Sequence, residues 1–162
     1  MAQANNIDMI YFGNPVFDIT CTDDDRSVMT KYSLELGMAS LVTPEQMPIY
    51  DEIYAREDKF TSPGGSALNS ARAQKHSNPA GSVCYFGCIG NDDKGRALTE
   101  AVSAVGIEGR FEICETEPTS LCACVVVGKE RTLCAYIASA RKFSMDYLNS
   151  HMVSKLNRLS QY

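Results

Sequence analysis

Ser82-Val83-Cys84-Tyr85-Phe86-Gly87-Cys88-Ile89-Gly90-Asn91-Asp92-Asp93-Lys94-Gly95 is the stretch that decides the fold class. Residues 82–89 form a nearly continuous apolar run of strand length, as in parallel strands covered on both faces. Gly90 permits a turn, and Asp92 or Asp93 offers a carboxylate to cap a following helix. That helix is expected over 94–105, with Leu98, Ala101, Val102 and Val105 on one face and Gly106 as its stop. Strand, glycine turn and amphipathic helix make one unit of a parallel α/β sheet.

Upstream, residues 59–62 read as a short strand running into Pro63-Gly64-Gly65. Ser66 is placed to cap a helix that reaches about His76, and Asn78-Pro79-Ala80-Gly81 stops it. Met9-Ile10-Tyr11-Phe12 is a buried strand ended by Gly13-Asn14-Pro15. A second strand is expected at 16–21, a short helix at 26–33 and a strand at 40–42. Thr43-Pro44-Glu45-Gln46 carries a capping box for a helix with Ile49, Tyr50 and Ile53 on its apolar side. Pro48 removes an early donor, so the regular helix is expected from near that residue.

Downstream, 110–114, 120–127 and 132–137 read as three strands with short connections, and Gly128-Lys129-Glu130 makes a hairpin turn. These strands are expected to form a small separate antiparallel sheet. A final helix over 145–159 carries the stripe Met145, Leu148, Met152, Leu156 and Leu159. A crossover helix leads to the next parallel strand. The sequence ends at Gln161-Tyr162, so the pattern reads as part of a larger α/β protein.

Composition narrows the class. The 162 residues are 44% apolar with a formal charge of -5. That balance argues against nucleic acid or an anionic membrane as partner. Asp23-Asp24-Asp25 reads as a solvated turn. No stretch is apolar and long enough to span a bilayer, and the first residues lack the pattern of a signal peptide, so a cytoplasmic protein is expected. Six of the seven cysteines lie in apolar runs and read as small buried hydrophobes in a reducing compartment. There is no Cys-x-x-Cys, and His76 and His151 lie far from the cysteines, so no metal site is expected.

Four constellations carry chemistry. Asn14 and Asp18 follow a buried strand, where open α/β sheets bind ligands. The Asp18 carboxylate suits a vicinal diol, although an Asx turn without ligand explains the same residues. Gly64 and Gly65 at a helix start leave backbone N–H groups open to a ligand, with Asn69 one turn on. An ordinary strand–helix turn is the plain alternative, and no Gly-Lys-Ser/Thr follows to make a phosphate-binding P-loop. The third constellation, residues 85–95, reads as a glycine turn with an aspartate cap. Arg131 beyond the hairpin tip is either a solvated charge or a fork for a phosphate.

In order, Asn14-Pro15-x-x-Asp18, Gly64-Gly65-Ser66-x-x-Asn69, Phe86-Gly87-Cys88-Ile89-Gly90-x-Asp92 and Gly128-x-x-Arg131-x-Leu133 resemble the ribokinase-like, pfkB-type carbohydrate kinases. Within that family, Gly-Asn-Pro and Phe-Gly-Cys-Ile-Gly are most similar to adenosine kinases. The likeness runs from about Ile10 to Ile137. It implies a partial parallel α/β sheet with flanking helices (1–15, 64–110 and 138–162) and a small β lid (16–63 and 111–137). It implies that Asp18 holds the ribose hydroxyls, helped by the Gly64 and Gly65 backbone and Asn69, while Asn14 and Ser66 face the base. Leu41, Cys122, Leu133, Ala135 and Ile137 would form the apolar lid wall, and Arg131 would reach the transferred phosphoryl group. The substrate implied is adenosine, phosphorylated on its 5′-hydroxyl with ATP and magnesium, by an enzyme expected to be monomeric when complete.

The family takes its catalytic aspartate from a Gly-Ala-Gly-Asp loop, and no such tetrapeptide occurs in this sequence. By resemblance, the ATP and magnesium sites also lie mostly outside these residues. Ile137-Ala138-Ser139-Ala140-Arg141 stands where relatives usually carry Ala-Ala-Asn. A kinase for another nucleoside or a sugar, and a non-catalytic nucleoside-binding module, stay open as alternatives.

Overall fold

The computed structural model describes residues 7–159, with side chains as far as Met152. Its elements, in chain order, are β1 (Met9–Phe12), β2 (Val16–Thr22), α1 (Ser27–Lys31), β3 (Ala39–Leu41), α2 (Ile49–Ala55), β4 (Phe60–Gly64), α3 (Ser66–Ser77), β5 (Val83–Gly90), α4 (Asp93–Ala104), β6 (Ile107–Cys114), β7 (Leu121–Val127), β8 (Glu130–Tyr136) and α5 (Met145–Leu159). Short 3-10 turns stand at Pro44–Gln46 and Ser139–Lys142. Of the stripe expected on the last helix, Leu156 and Leu159 lie outside the described side chains, and Met145 is exposed.

The first sheet is parallel, in the order β1-β5-β6. Its middle strand β5 is buried at every residue, as the unbroken apolar run requires. The second sheet is mixed, in the order β3-β8-β7-β2-β4: β2 runs parallel to β7 and β3 to β8, while β7–β8 and β2–β4 are antiparallel. Two expectations change here. The strand expected at 110–114 starts at Ile107 and pairs with β5, so it extends the parallel sheet rather than the hairpin sheet. The second sheet is also not purely antiparallel, because β2 and β3 enter it from earlier in the chain.

Strand alternation divides the second sheet into two faces. Phe17, Ile19, Cys21, Ala123, Val125 and Cys134 point into the main core, against Ile49, Tyr50 and Ile53 of α2 and Leu98 and Val102 of α4. Val16, Asp18, Thr20, Cys122, Cys124, Leu133 and Ala135 occupy the other face.

Polar anchors fix the connections. Asp92 caps α4 through Gly95 N–H at 2.8 Å and also accepts from Thr119 N–H at 2.8 Å and its hydroxyl at 2.7 Å. Ser120 Oγ accepts from Ala138 N–H at 3.0 Å and Ala140 N–H at 3.2 Å, which sets the return segment after β8. The Ser139 hydroxyl is buried there with no hydrogen-bond partner among the described residues. The capping box at Thr43 and Gln46 forms, but it closes a 3-10 turn before α2. Two further readings are corrected. Ser66 is the first helical residue of α3, and Gly65 occupies the cap position. Asp23 is not solvated: it is buried and accepts from Val28 N–H at 3.0 Å and Met29 N–H at 2.9 Å at the head of α1. Among the described residues no helix is long and apolar enough to cross a membrane.

Candidate functional site

The strand registers lay the candidate residues in one row. Leu41 pairs with Ala135, Ala135 with Cys122, Cys122 with Asp18, and Asp18 with Ser62. Paired residues share a face, so five strands present one line of side chains with a single carboxylate in it. Val16, Cys122 and Cys124 form a small buried cluster on that face, and Leu133, Ala135 and Ile137 pack against it. Leu41 is on the edge strand and 70% exposed.

Asp18 stands over the end of β4. A Cβ on Gly64 would be 2.1 Å from Asp18 Oδ2, so only glycine leaves room for the carboxylate. Gly65 follows with φ 99°, a backbone region that favours glycine, and a Cβ there would be 2.2 Å from the Asn14 carbonyl oxygen. The Gly13-Asn14-Pro15 turn therefore rests directly on the head of α3. Gly87 makes the other half of this seat, since a Cβ on it would be 2.7 Å from Pro15 Cδ. The motif at 85–95 thus serves to position the Asn14-Pro15 turn, together with the cap expected at Asp92. Asn14 and Ser66 are exposed beside this junction.

The electrostatics single out Asp18. Burial pushes its carboxyl up to about 6, against the opposing pull of Arg131 and Arg72. Among the described residues no donor hydrogen-bonds its oxygens. Arg131 lies on the same face, since it pairs with Val126 and Val126 with Thr22, in step with Asp18 and Thr20. Its side chain is exposed. The Cys124 thiol donates to the Cys122 sulfur at 3.9 Å, and this contact, with burial, raises the Cys122 thiol, while the same contact lowers that of Cys124.

Asn69 is placed differently. Its side-chain oxygen accepts from Arg72 at 3.2 Å, and it lines a groove of about 790 Å³ between α3 and Gly106 whose walls include none of the other candidates. Arg72 also donates to the Pro63 carbonyl at 2.9 Å, which ties α3 to the end of β4. Sequence reasoning passed over Arg72, and its position nearly two turns after Gly-Gly-Ser, one turn beyond Asn69, was the available signal. It passed over Cys124 as well, although the alternation in Leu121-Cys122-Ala123-Cys124 sets both cysteines on one face.

A poorly solvated carboxylate faces an apolar wall on one side and bare helix-start backbone on the other, with an arginine further along the same face. That arrangement can accept hydrogen bonds from a diol and cover a flat apolar ring.

The family model for pfkB family carbohydrate kinases matches residues 40–159. Adenosine kinase 2 of Arabidopsis thaliana is 34% identical over 151 residues, which cover 91% of this chain and 44% of that protein. The adenosine kinase of Dictyostelium discoideum is 28% identical over 159 residues, 98% of this chain and 46% of the relative. Among solved structures, apo adenosine kinase of Trypanosoma brucei brucei superposes with a TM-score of 0.85 at 33% identity, covering 91% of this chain and 45% of that one. Adenosine kinase of Schistosoma mansoni in complex with adenosine superposes at 0.80 and 27% identity, covering 92% and 43%. The chain thus spans less than half the length of these relatives.

Proposed function

The chain belongs to the pfkB family of carbohydrate kinases, and from that premise we propose that its open sheet face binds adenosine as the phosphoryl acceptor of an adenosine kinase. The observation that carries this reading is the junction of Asp18 with Gly64 and Gly65 beside an apolar wall. The Asp18 oxygens accept from the two ribose hydroxyls. The Gly64–Gly65 backbone lets the sugar approach the head of α3. Leu41, Cys122, Leu133, Ala135 and Ile137 cover the purine, with Asn14 and Ser66 at its polar edge. The apolar extent of the wall favours a nucleoside over a bare sugar, which would leave that surface without a partner. Asn69, exposed one turn into α3 with its side-chain oxygen held by Arg72, helps hold the ribose.

Arg131 is the group of this chain suited to a phosphoryl oxygen. The family resemblance implies ATP as donor with magnesium. Among the described residues, the one group of three possible metal ligands is Asp18, Cys122 and Cys124. Two thiols do not suit magnesium, which prefers oxygen. The sequence holds no Gly-Ala-Gly-Asp loop. General base catalysis is worth roughly 10²–10⁴ in rate. The 162-residue chain is therefore expected to give no measurable AMP from ATP and adenosine, and a steady ATP-dependent AMP signal would contradict this assignment of roles.

Binding is tested by thermal shift at millimolar ligand. Adenosine should raise the melting temperature, and 2′,3′-dideoxyadenosine should not. The shift should vanish in Asp18→Ala. Equal shifts from both nucleosides would remove the diol from the reading.

A further inference from the structure

We infer that the same sheet face is also a site for one thiophilic divalent cation of the zinc class, held by the sulfurs of Cys122 and Cys124 and a carboxylate oxygen of Asp18. One ligand atom from each of these residues lies within 4.8 Å of the other two. The two sulfurs are 3.9 Å apart. A tetrahedral ion with zinc–sulfur bonds of about 2.3 Å holds two sulfurs about 3.8 Å apart, so the pair needs almost no movement. The strands impose this spacing. Cys122 and Cys124 are two residues apart on β7 and face the same way, and Asp18 is the β2 partner of Cys122. Linear spacing could not show it, because the third ligand comes from another strand more than a hundred residues earlier.

The ligand set selects the metal. Two thiolates and one carboxylate suit zinc, cadmium or cobalt and not magnesium or calcium. Three protein ligands leave the fourth position toward the open side of the sheet, for water or an added ligand. Binding displaces the two thiol protons to solvent. A disulfide is a poorer use of the pair: alternate residues of an extended strand have Cα atoms about 6.6 Å apart, near the limit for a bridge, with parallel Cβ directions.

One consequence rests on the proposed acceptor site. Coordination occupies the Asp18 oxygen that the ribose would use, so cation and nucleoside exclude each other.

The test is a cadmium titration of the reduced chain, in a Cys114→Ser background that removes the half-exposed thiol. The thiolate-to-cadmium ultraviolet band is read without nucleoside, and melting curves confirm that each variant is folded. The wild-type site should fill at one cadmium per chain. Cys122→Ser and Cys124→Ser should each weaken binding at least about 100-fold, and Asp18→Asn about 10-fold while keeping the band. Absence of the band, or a titration unchanged in both cysteine variants, overturns the inference. Adenosine should raise the cadmium concentration needed. If cadmium binds and adenosine does not, the acceptor reading fails and the metal site stands. If adenosine binds and cadmium does not, only the metal site fails.

Discussion

Asp18 interrupts a strand that is otherwise built for the core, between Phe17 and Ile19, and its own face carries sulfur and hydrocarbon from β7 and β8 and the hydroxyl residues Thr20 and Ser62. An ionised carboxylate loses hydration there, and two arginines restore only part of it. Its folded value of about 6 stands above the 3.8 of a free aspartate. The folded chain therefore holds this proton more tightly than the unfolded one, and stability falls as pH rises from about 4 through about 6. Asp18→Asn should be more stable than wild type at pH 8 by on the order of 1 kcal/mol, allowing for partial exposure, with the difference vanishing below about pH 4. Urea melts at the two pH values check this. Adenosine affinity should move the opposite way, rising through pH 6 as the carboxylate ionises, because a diol donates to the charged form. Gly64→Ala tests the same spot from the other side. Its Cβ would press on Asp18 Oδ2, so the variant should lose about 1–3 kcal/mol and the adenosine thermal shift together. Gly128→Ala is the control: it has a positive φ but nothing within 4 Å, so it should cost stability and leave the adenosine shift intact.

At the scale of elements, legibility followed how local each signal was. The β5–α4 unit could be read because its apolar run, its glycine and its aspartate cap are contiguous. The strand at Ile107–Cys114 was visible as a strand, but its partner was not. It is only partly buried, unlike the fully buried β5, and the turn at Gly106 leads it back beside that strand. Asp23 was misread for a related reason. A run of three acidic residues looks solvated until one of them turns inward to hold a helix start. At the site, Asp18 with Gly64 and Gly65 was legible through motif order, whereas the pairing of Asp18 with Cys122 depends on strand register. Asp92 shows what a correctly read cap adds. Burial alone would raise its carboxyl, but the donors at Thr119 and Gly95 outweigh this and hold it below the usual range. Its stabilisation is present above about pH 4 and lost as pH falls further, the reverse of Asp18. Asp92→Ala should cost about 2–4 kcal/mol, since it removes a helix cap and leaves the 119–120 turn unanchored. Circular dichroism melts at neutral pH measure that loss, and a cost below 1 kcal/mol would mean that Thr119 finds other partners.

For the whole molecule, the two sheets are not independent bodies of packing. One buried cluster takes Tyr85 and Ile89 from β5, Phe17 and Ile19 from β2, Ala123 and Val125 from β7, and Leu98 and Val102 from α4. Separating the sheets would strip apolar surface from both, at roughly 25 cal/mol per Å². The described chain should therefore unfold in a single step, as small domains usually do. The cysteines supply internal reporters. Cys84 in the first sheet and Cys134 in the second are both fully buried, whereas Cys114 is partly open. Pulsed alkylation across a urea series, read by peptide mass, should label Cys114 in the folded state and the other two only on unfolding, at one shared midpoint. Leu98→Ala should move that midpoint for both reporters together. A loss of about 2–5 kcal/mol from a core leucine, divided by a urea slope of roughly 1–3 kcal/mol per molar, predicts a drop of about 2 M at the middle of both ranges. Labelling of Cys134 at clearly lower urea than Cys84 would show that the sheet bearing Asp18 opens alone. The acceptor face would then be ordered by its ligand rather than held ready by the core.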